Sequence, residues 1–217
     1  MHIPDGFVNV GTAVVTYAGS AGALAYAVRR TKETLQERFV PLMGVMGAFV
    51  FAAQMINFKV AGGTSGHLLG GALVGILLGP WAGSLVLTAV LIVQAFIFQD
   101  GGIIALGANV LNMAVVGVWS GYGIYRLLHK LIPGDKGRWI SSFGAAWSSV
   151  VLAAALAAIE LAISGTSPLG VVLPAMVLVH MLIGIGEGLI TTGVLAFLAA
   201  ARRDLLDQPA EATGGAS

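Results

Sequence analysis

The residues best placed to do chemistry stand at the start of the chain, MHIPDGF. With Met1 terminal, its amine, the backbone nitrogen of His2 and the His2 imidazole Nδ1 are linked through short covalent paths. A metal bound to all three closes a five-membered and then a six-membered chelate ring. The three nitrogens share a plane once the amide is deprotonated. One further imidazole completes a square-planar set, a geometry diagnostic of Ni(II) or Cu(II), and imidazole-rich sites bind late first-row metals well. The device depends on position, because one residue added before Met1 destroys it. No basic stretch or apolar leader precedes the segment, and the bulky His2 is expected to leave the initiator Met in place. Pro4 and Gly6 supply a rigid turn that can fold the terminus back among the helices.

The other polar residues are sparse, and each has a packing alternative. His67, in the loop KVAGGTSGHLLGG, is the candidate fourth ligand; His129 belongs to a loop at the opposite end. His180 and Glu187 are seven residues apart on one face of the last apolar run. A charged Glu inside a membrane costs about 2.5–3.5 kcal/mol on insertion scales, so a functional or paired role is the default for Glu187. His180 reads either as its partner or as something more specific. Gln54/Asn57 and Asn109/Asn112 are spaced i, i+3, and Gln94, Gln99 and Asp100 close the fourth apolar run. Single amides within a bundle ordinarily join helices by hydrogen bonds. Ser65, Asn57, Gln94, Gln99, Asp100, Asn109 and Asn112 are nevertheless candidates to orient His2 or His67 around a metal, and Asp5 to bond within the folded terminus. Two rivals use the same residues. Gly63-Thr64-Ser65-Gly66 fits the G-x-S-G pattern of a rhomboid-like intramembrane serine protease with His180 as base. That reading leaves MHIPDGF unexplained and gives His67 no role. The other rival is a metal channel or secondary transporter working alone.

The elements that must hold these residues are set by composition. The 217 residues are 57% hydrophobic and 10% charged, far below the roughly 25% charged of soluble domains. Mean hydropathy is +0.91. Long uncharged runs in such a chain predict an all-α integral membrane protein with the lipid bilayer as its solvent. The runs fall at 11–28, 40–58, 67–79, 81–98, 104–128, 139–163 and 170–200, predicting seven transmembrane helices, the third short. With seven crossings, ten of the eleven basic residues fall on one side and only Lys59 on the other. The positive-inside rule then places the amino terminus outside and the carboxyl terminus in the cytoplasm. It also puts His2 and His67 on the same outer face. Residues 1–203 read as one transmembrane domain, and 204–217 as a disordered cytoplasmic tail. The absence of cysteine excludes disulfides and thiolate metal sites. No basic face suggests nucleic acid, and no G-x-x-x-x-G-K-[ST] phosphate loop occurs, so any ATP-driven engine is expected on another chain.

The stretches MHIPDGF, AGGTSGHLLGG, GPWAG, FQDGGIIALGANVLNMA and GIGEGLIT resemble the substrate-binding component of energy-coupling-factor transporters for nickel and cobalt, the CbiM/NikM family. The resemblance runs from Met1 to about Ala200. It implies a seven-helix fold with an outer amino terminus in a bacterial or archaeal cytoplasmic membrane, with residues 1–203 as the substrate-binding domain. It also implies a metal held by the Met1 amine, the His2 amide and imidazole, and the His67 imidazole. The implied partners are a transmembrane coupling protein, a pair of cytoplasmic ATPase subunits and a small auxiliary membrane protein on a separate polypeptide. Ni(II) or Co(II) is the transported substrate, and neither catalytic residues nor a catalytic cofactor are expected in this chain. The start MHIPDGF resembles nickel members more than the cobalt members that begin MHIMEGF behind a cleaved signal peptide, and planar coordination favours Ni(II) in the same direction.

Overall fold

Helices form at each of the seven apolar runs in a computed structural model that describes residues 1–60 and 64–207. They are α1 (Val10–Thr34), α2 (Val40–Gln54), α3 (Gly71–Leu78), α4 (Pro80–Ile97), a fifth continuous helix, α7 (Gly134–Ile163) and α8 (Leu169–Ala201). The fifth consists of α5 (Leu106–Asn109), a π-helical stretch (Val110–Gly117) and α6 (Val118–Leu131). Start signals are local: Asn9 Oδ1 accepts from the Thr12 N–H at 2.8 Å to cap α1, and prolines occupy the first turns of α2 and α4. Among the described helices, α4, α7 and α8 are long and apolar enough to cross a membrane.

Several boundaries differ from the apolar runs. α1 continues to Thr34 because Arg29 and Arg30 both bond Glu33 within its last turns, which carries the helix past its apolar part. The second run stops at Gln54 rather than continuing to residue 58, and the third helix starts at Gly71 rather than at His67. Between them lies an antiparallel hairpin, β1 (Asn57–Val60) and β2 (Thr64–His67), in a register that pairs Asn57 with His67. A segment so rich in glycine gains little by staying helical, and Asn57 favours the turn. The carboxyl-terminal tail opens with a helical turn, α9 (Asp204–Asp207); residues 208–217 lie outside the described part.

Core packing relies on small residues. α7 buries Ala145, Ala146, Ala153, Ala154, Ala157 and Ala158, which lets it lie close to its neighbours, above all α8. α3 is almost wholly buried, and at Gly121 an added Cβ would lie 2.7 Å from the Ala72 Cα, so α3 meets α6 backbone to backbone. Large apolar side chains such as Val14, Phe96, Leu182, Leu189 and Phe197 cover the outside instead. The bundle is thus apolar outside as well as inside, with buried His, Gln, Asn and Glu set into that interior, whereas a soluble protein covers itself with charged and polar side chains.

Candidate metal centre

The first residues of the chain are inserted into the bundle at the hairpin end. Met1, His2 and Ile3 are 0%, 3% and 0% exposed. A buried segment outside helix and sheet must find partners for its backbone elsewhere, and Asn109 supplies them. Its Oδ1 accepts the Ile3 N–H at 2.8 Å, and its Nδ2 donates to the Ile3 carbonyl at 3.0 Å. The Gly102 N–H donates to the same carbonyl at 2.9 Å. Asp5 then accepts from the N–H groups of Ile103, Ile104 and Ala105 at 3.1, 2.7 and 3.3 Å, leading into α5. The approach is so close that a Cβ on Gly102 would fall 2.3 Å from the Asp5 nitrogen. Thr166 closes the segment with a hydrogen bond to the Phe7 carbonyl.

Insertion brings the two histidines together. The His2 and His67 rings stack with centroids 4.5 Å apart and planes inclined by 25°. Their hydrogen bonds assign the tautomers, since a carbonyl oxygen can only accept. His2 Nε2–H donates to Gln94 Oε1 at 3.1 Å, which leaves the lone pair on Nδ1, the nitrogen that a terminal chelate uses. Asp100 Oδ1 lies 3.4 Å from that Nδ1, and Asn57 Nδ2 donates to the other Asp100 oxygen at 3.4 Å. His67 Nδ1–H donates to the Leu68 carbonyl at 2.7 Å. Its lone pair is therefore on Nε2, a buried atom with no hydrogen-bond partner among the described residues.

Burial sets the charge state. The Met1 amine is pushed down to about 4 by desolvation, with Asp100 acting the other way. His2 falls to about 3 through burial and then the neighbouring amine, against the Gln94 hydrogen bond. His67 is held well below its ordinary value by burial, then the amine and His2. Asp100, half-buried, is raised by desolvation. At neutral pH the amine and both imidazoles consequently present lone pairs rather than protons. Among the described residues no three His, Cys, Asp or Glu side chains gather into a metal-holding group. A set drawn half from the terminus's own backbone and amine nitrogens does not take that form.

The remaining sequence candidates divide. Gln94, Asp100, Asn109 and Asn57 touch the terminus, the rings or one another, as described. Gln99 sits exposed in the turn after α4 with φ 55° and makes no described bond to His2 or His67. Asn112 faces away and donates to Glu160 Oε2 on α7 at 2.6 Å. A π-helical stretch closes on i→i+5, so residues three apart diverge in direction more than in an α-helix, and the two asparagines part company. The side chain of Ser65 lies outside the described part, so a Ser65/His180 pairing has no described geometry. Two residues take positioning roles that sequence spacing did not assign. Glu187 does not meet His180; it accepts the Leu69 N–H at 2.8 Å and the Gly70 N–H, fixing the chain just beyond His67 to α8. Gln54 Nε2 donates to the Leu69 carbonyl at 2.7 Å from α2. The signal for both was their polarity inside an apolar run.

Comparison with known proteins adds to this geometry. Residues 2–205 match the family model described as the cobalt uptake substrate-specific transmembrane region. A protein of Archaeoglobus fulgidus, provisionally named fused nickel transport protein NikMN, is 45% identical over 212 residues, covering 97% of this chain and 69% of its own. The cobalt transport protein CbiM of Sorangium cellulosum is 32% identical, covering 96% of this chain and 95% of its own. The crystal structure of a truncated transition metal transporter superposes with a TM-score of 0.87 at 36% identity, covering 93% of this chain and 99% of that one.

Proposed function

The chain belongs to the CbiM family of cobalt-uptake substrate-specific transmembrane proteins, and from that premise we propose that it captures Ni(II) or Co(II) through the Met1 amine, the His2 amide and Nδ1, and His67. The observation that carries this is the insertion of the buried terminus against His67, with each ring's lone pair left on the nitrogen a ligand needs. Charge also balances: a dication, a deprotonated His2 amide and the Asp100 carboxylate sum to zero, which a low-dielectric pocket favours. Gln94, Asn57 and Asn109 hold the ligands or their neighbours from behind. Four nitrogens in a plane favour Ni(II).

In this reading all seven helical segments cross the cytoplasmic membrane, the terminus and hairpin face outward, and the basic loops face the cytoplasm. The chain is the substrate-binding component of an energy-coupling-factor importer. A transmembrane coupling protein, cytoplasmic ATPase subunits and a small auxiliary membrane protein complete it, and ATP-driven reorientation releases the cation inward. The expected test result is a fall in Ni(II) affinity by calorimetry of at least about a hundredfold when two Ala residues are added before Met1 or the amine is acetylated. Unchanged affinity sinks the terminal chelate. Metal uptake into liposomes by the purified chain alone would count against the subunit role.

A further inference from the structure

Gln99 stands in a backbone conformation that its residue type seldom takes. Its φ is 55°, and among the described residues it is the one non-glycine residue with a positive φ. The left-handed region is disfavoured for L side chains, and residues held there cluster at functional sites. The side chain does not account for it: it is exposed and borders an outer cavity lined by Pro4, Asp5, Gly101 and Gly102. The backbone does. α4 ends at Ile97, and the Gln94 carbonyl accepts the Phe98 N–H at 3.1 Å and then, across the reversal at Gln99, the Asp100 N–H at 3.0 Å. A left-handed residue just past a helix end commonly closes the helix, and Gly or Asn usually holds that position. Here the reversal sets two side chains on the two nitrogens of one ring. Gln94 Oε1 accepts from His2 Nε2–H at 3.1 Å, and Asp100 Oδ1 stands 3.4 Å from His2 Nδ1. Two residues on, Gly101 (φ 94°) is left-handed for a different reason: an added Cβ there would lie 3.2 Å from His2 Cδ2 and 3.0 Å from Asn109 Nδ2.

We propose that Gln99 is a positioning residue for metal capture, whose left-handed backbone, and not its side-chain amide, holds the Asp100 carboxylate against His2 Nδ1. The inference rests on the terminal-chelate reading above. A carboxylate fixed beside the ligand nitrogen offsets the charge of a dication in a dry pocket, and its effect depends on its distance from the ion. The turn fixes that distance through a backbone bond to Gln94, the residue that orients the same ring from its other nitrogen. Asn57 Nδ2 holds the second Asp100 oxygen from the hairpin. A helical or extended conformation at Gln99 would break the Asp100–Gln94 bond and carry the carboxylate off the ring.

The test uses the full chain in detergent micelles, titrated calorimetrically with NiCl2. Gln99→Gly and Gln99→Asn, both at ease in the left-handed region, are expected to keep affinity within about threefold. Gln99→Val, whose branched Cβ resists that region, is expected to lose about tenfold or more, and Gln99→Thr serves in its place if the Val chain does not fold. Asp100→Asn is expected to lose about tenfold by itself, and Gln99→Val added to it less than about a further threefold, since both act through one carboxylate. A loss in Gln99→Gly equal to that in Gln99→Val assigns the role to the side chain and overturns the proposal. So does full affinity in the branched variants, in Asp100→Asn, or losses that simply add. Two Ala residues before Met1 in the same titration test the terminal chelate separately: affinity retained there overturns that reading, whatever the Gln99 series gives.

Discussion

Two polar regions interrupt the apolar interior, and they are built differently. At the hairpin end, the terminus, β2, the turn after α4 and the start of α5 meet, all of them non-helical or at helix ends. The bonds that anchor the terminus there join segments far apart in sequence, such as Ile3 to Asn109 and Asp5 to Ile104. Between helices, Asn112 and Glu160 link the π-helical stretch to the last turn of α7, one side chain to another. The first region is an assembly of backbone ends whose lone pairs point inward. The second is a polar bond between two rigid helices. The contrast teaches that membrane-buried amides become site residues where they serve irregular backbone, since only there does main chain need side-chain partners.

Removing Asn109 should break the contrast most severely. Asn109→Ala leaves both the Ile3 N–H and one bond to its carbonyl unmade, so the terminus loses its docking. Ni(II) affinity measured by calorimetry is expected to fall about 10- to 100-fold. Retained affinity would mean the inserted pose is not the binding pose. Gln94→Leu acts more narrowly, freeing the His2 tautomer without undocking Ile3, and a loss of about tenfold is expected.

Protonation offers a sharper comparison between the docked terminus and the same residues in water. A free MHIPDGF peptide at pH 7 must lose most of an amine proton, a fraction of an imidazole proton and one amide proton, about two in all. In the protein the amine and His2, already neutral, contribute none, so about one proton should be released per Ni(II). Calorimetry in buffers of different ionisation enthalpy reads this count directly, and two protons would contradict a buried neutral amine. The sign for stability follows. The undocked amine takes up a proton as pH falls below 8.0, while the docked one resists until about 4. Docking is therefore favoured at high pH and weakens progressively across that window.

The sequence made the helical segments legible because hydropathy is a long-range average that a few glycines cannot hide. It also exposed His2 and His67, since one is chemically special by position and the other lies where topology could bring it. It did not show the hairpin, because the pairing of Asn57–Val60 with Thr64–His67 is seated against α8 and the His2 ring, which lie far away in sequence. Glu187 was legible as an expensive residue but not as an acceptor of backbone N–H groups. Its partners are donors that every residue carries, and so they leave no trace in the side-chain pattern.

Asn112 is where the smallest effect on metal binding is expected and where the comparison is best controlled, three residues from Asn109. Asn112→Leu should leave Ni(II) affinity within about threefold, because nothing at His2 or His67 depends on it. Its cost should appear in thermal stability. The substitution strips Glu160 Oε2 of its described donor, and a buried acceptor left without one costs about 1–3 kcal/mol. Replacing both partners by apolar residues of similar size removes that penalty, so Asn112→Leu with Glu160→Leu should be more stable than Asn112→Leu alone. A double variant no better than the single, or a single variant that loses metal as Asn109→Ala does, would merge the two regions into one network. The distinction between docking amide and packing amide would then fail.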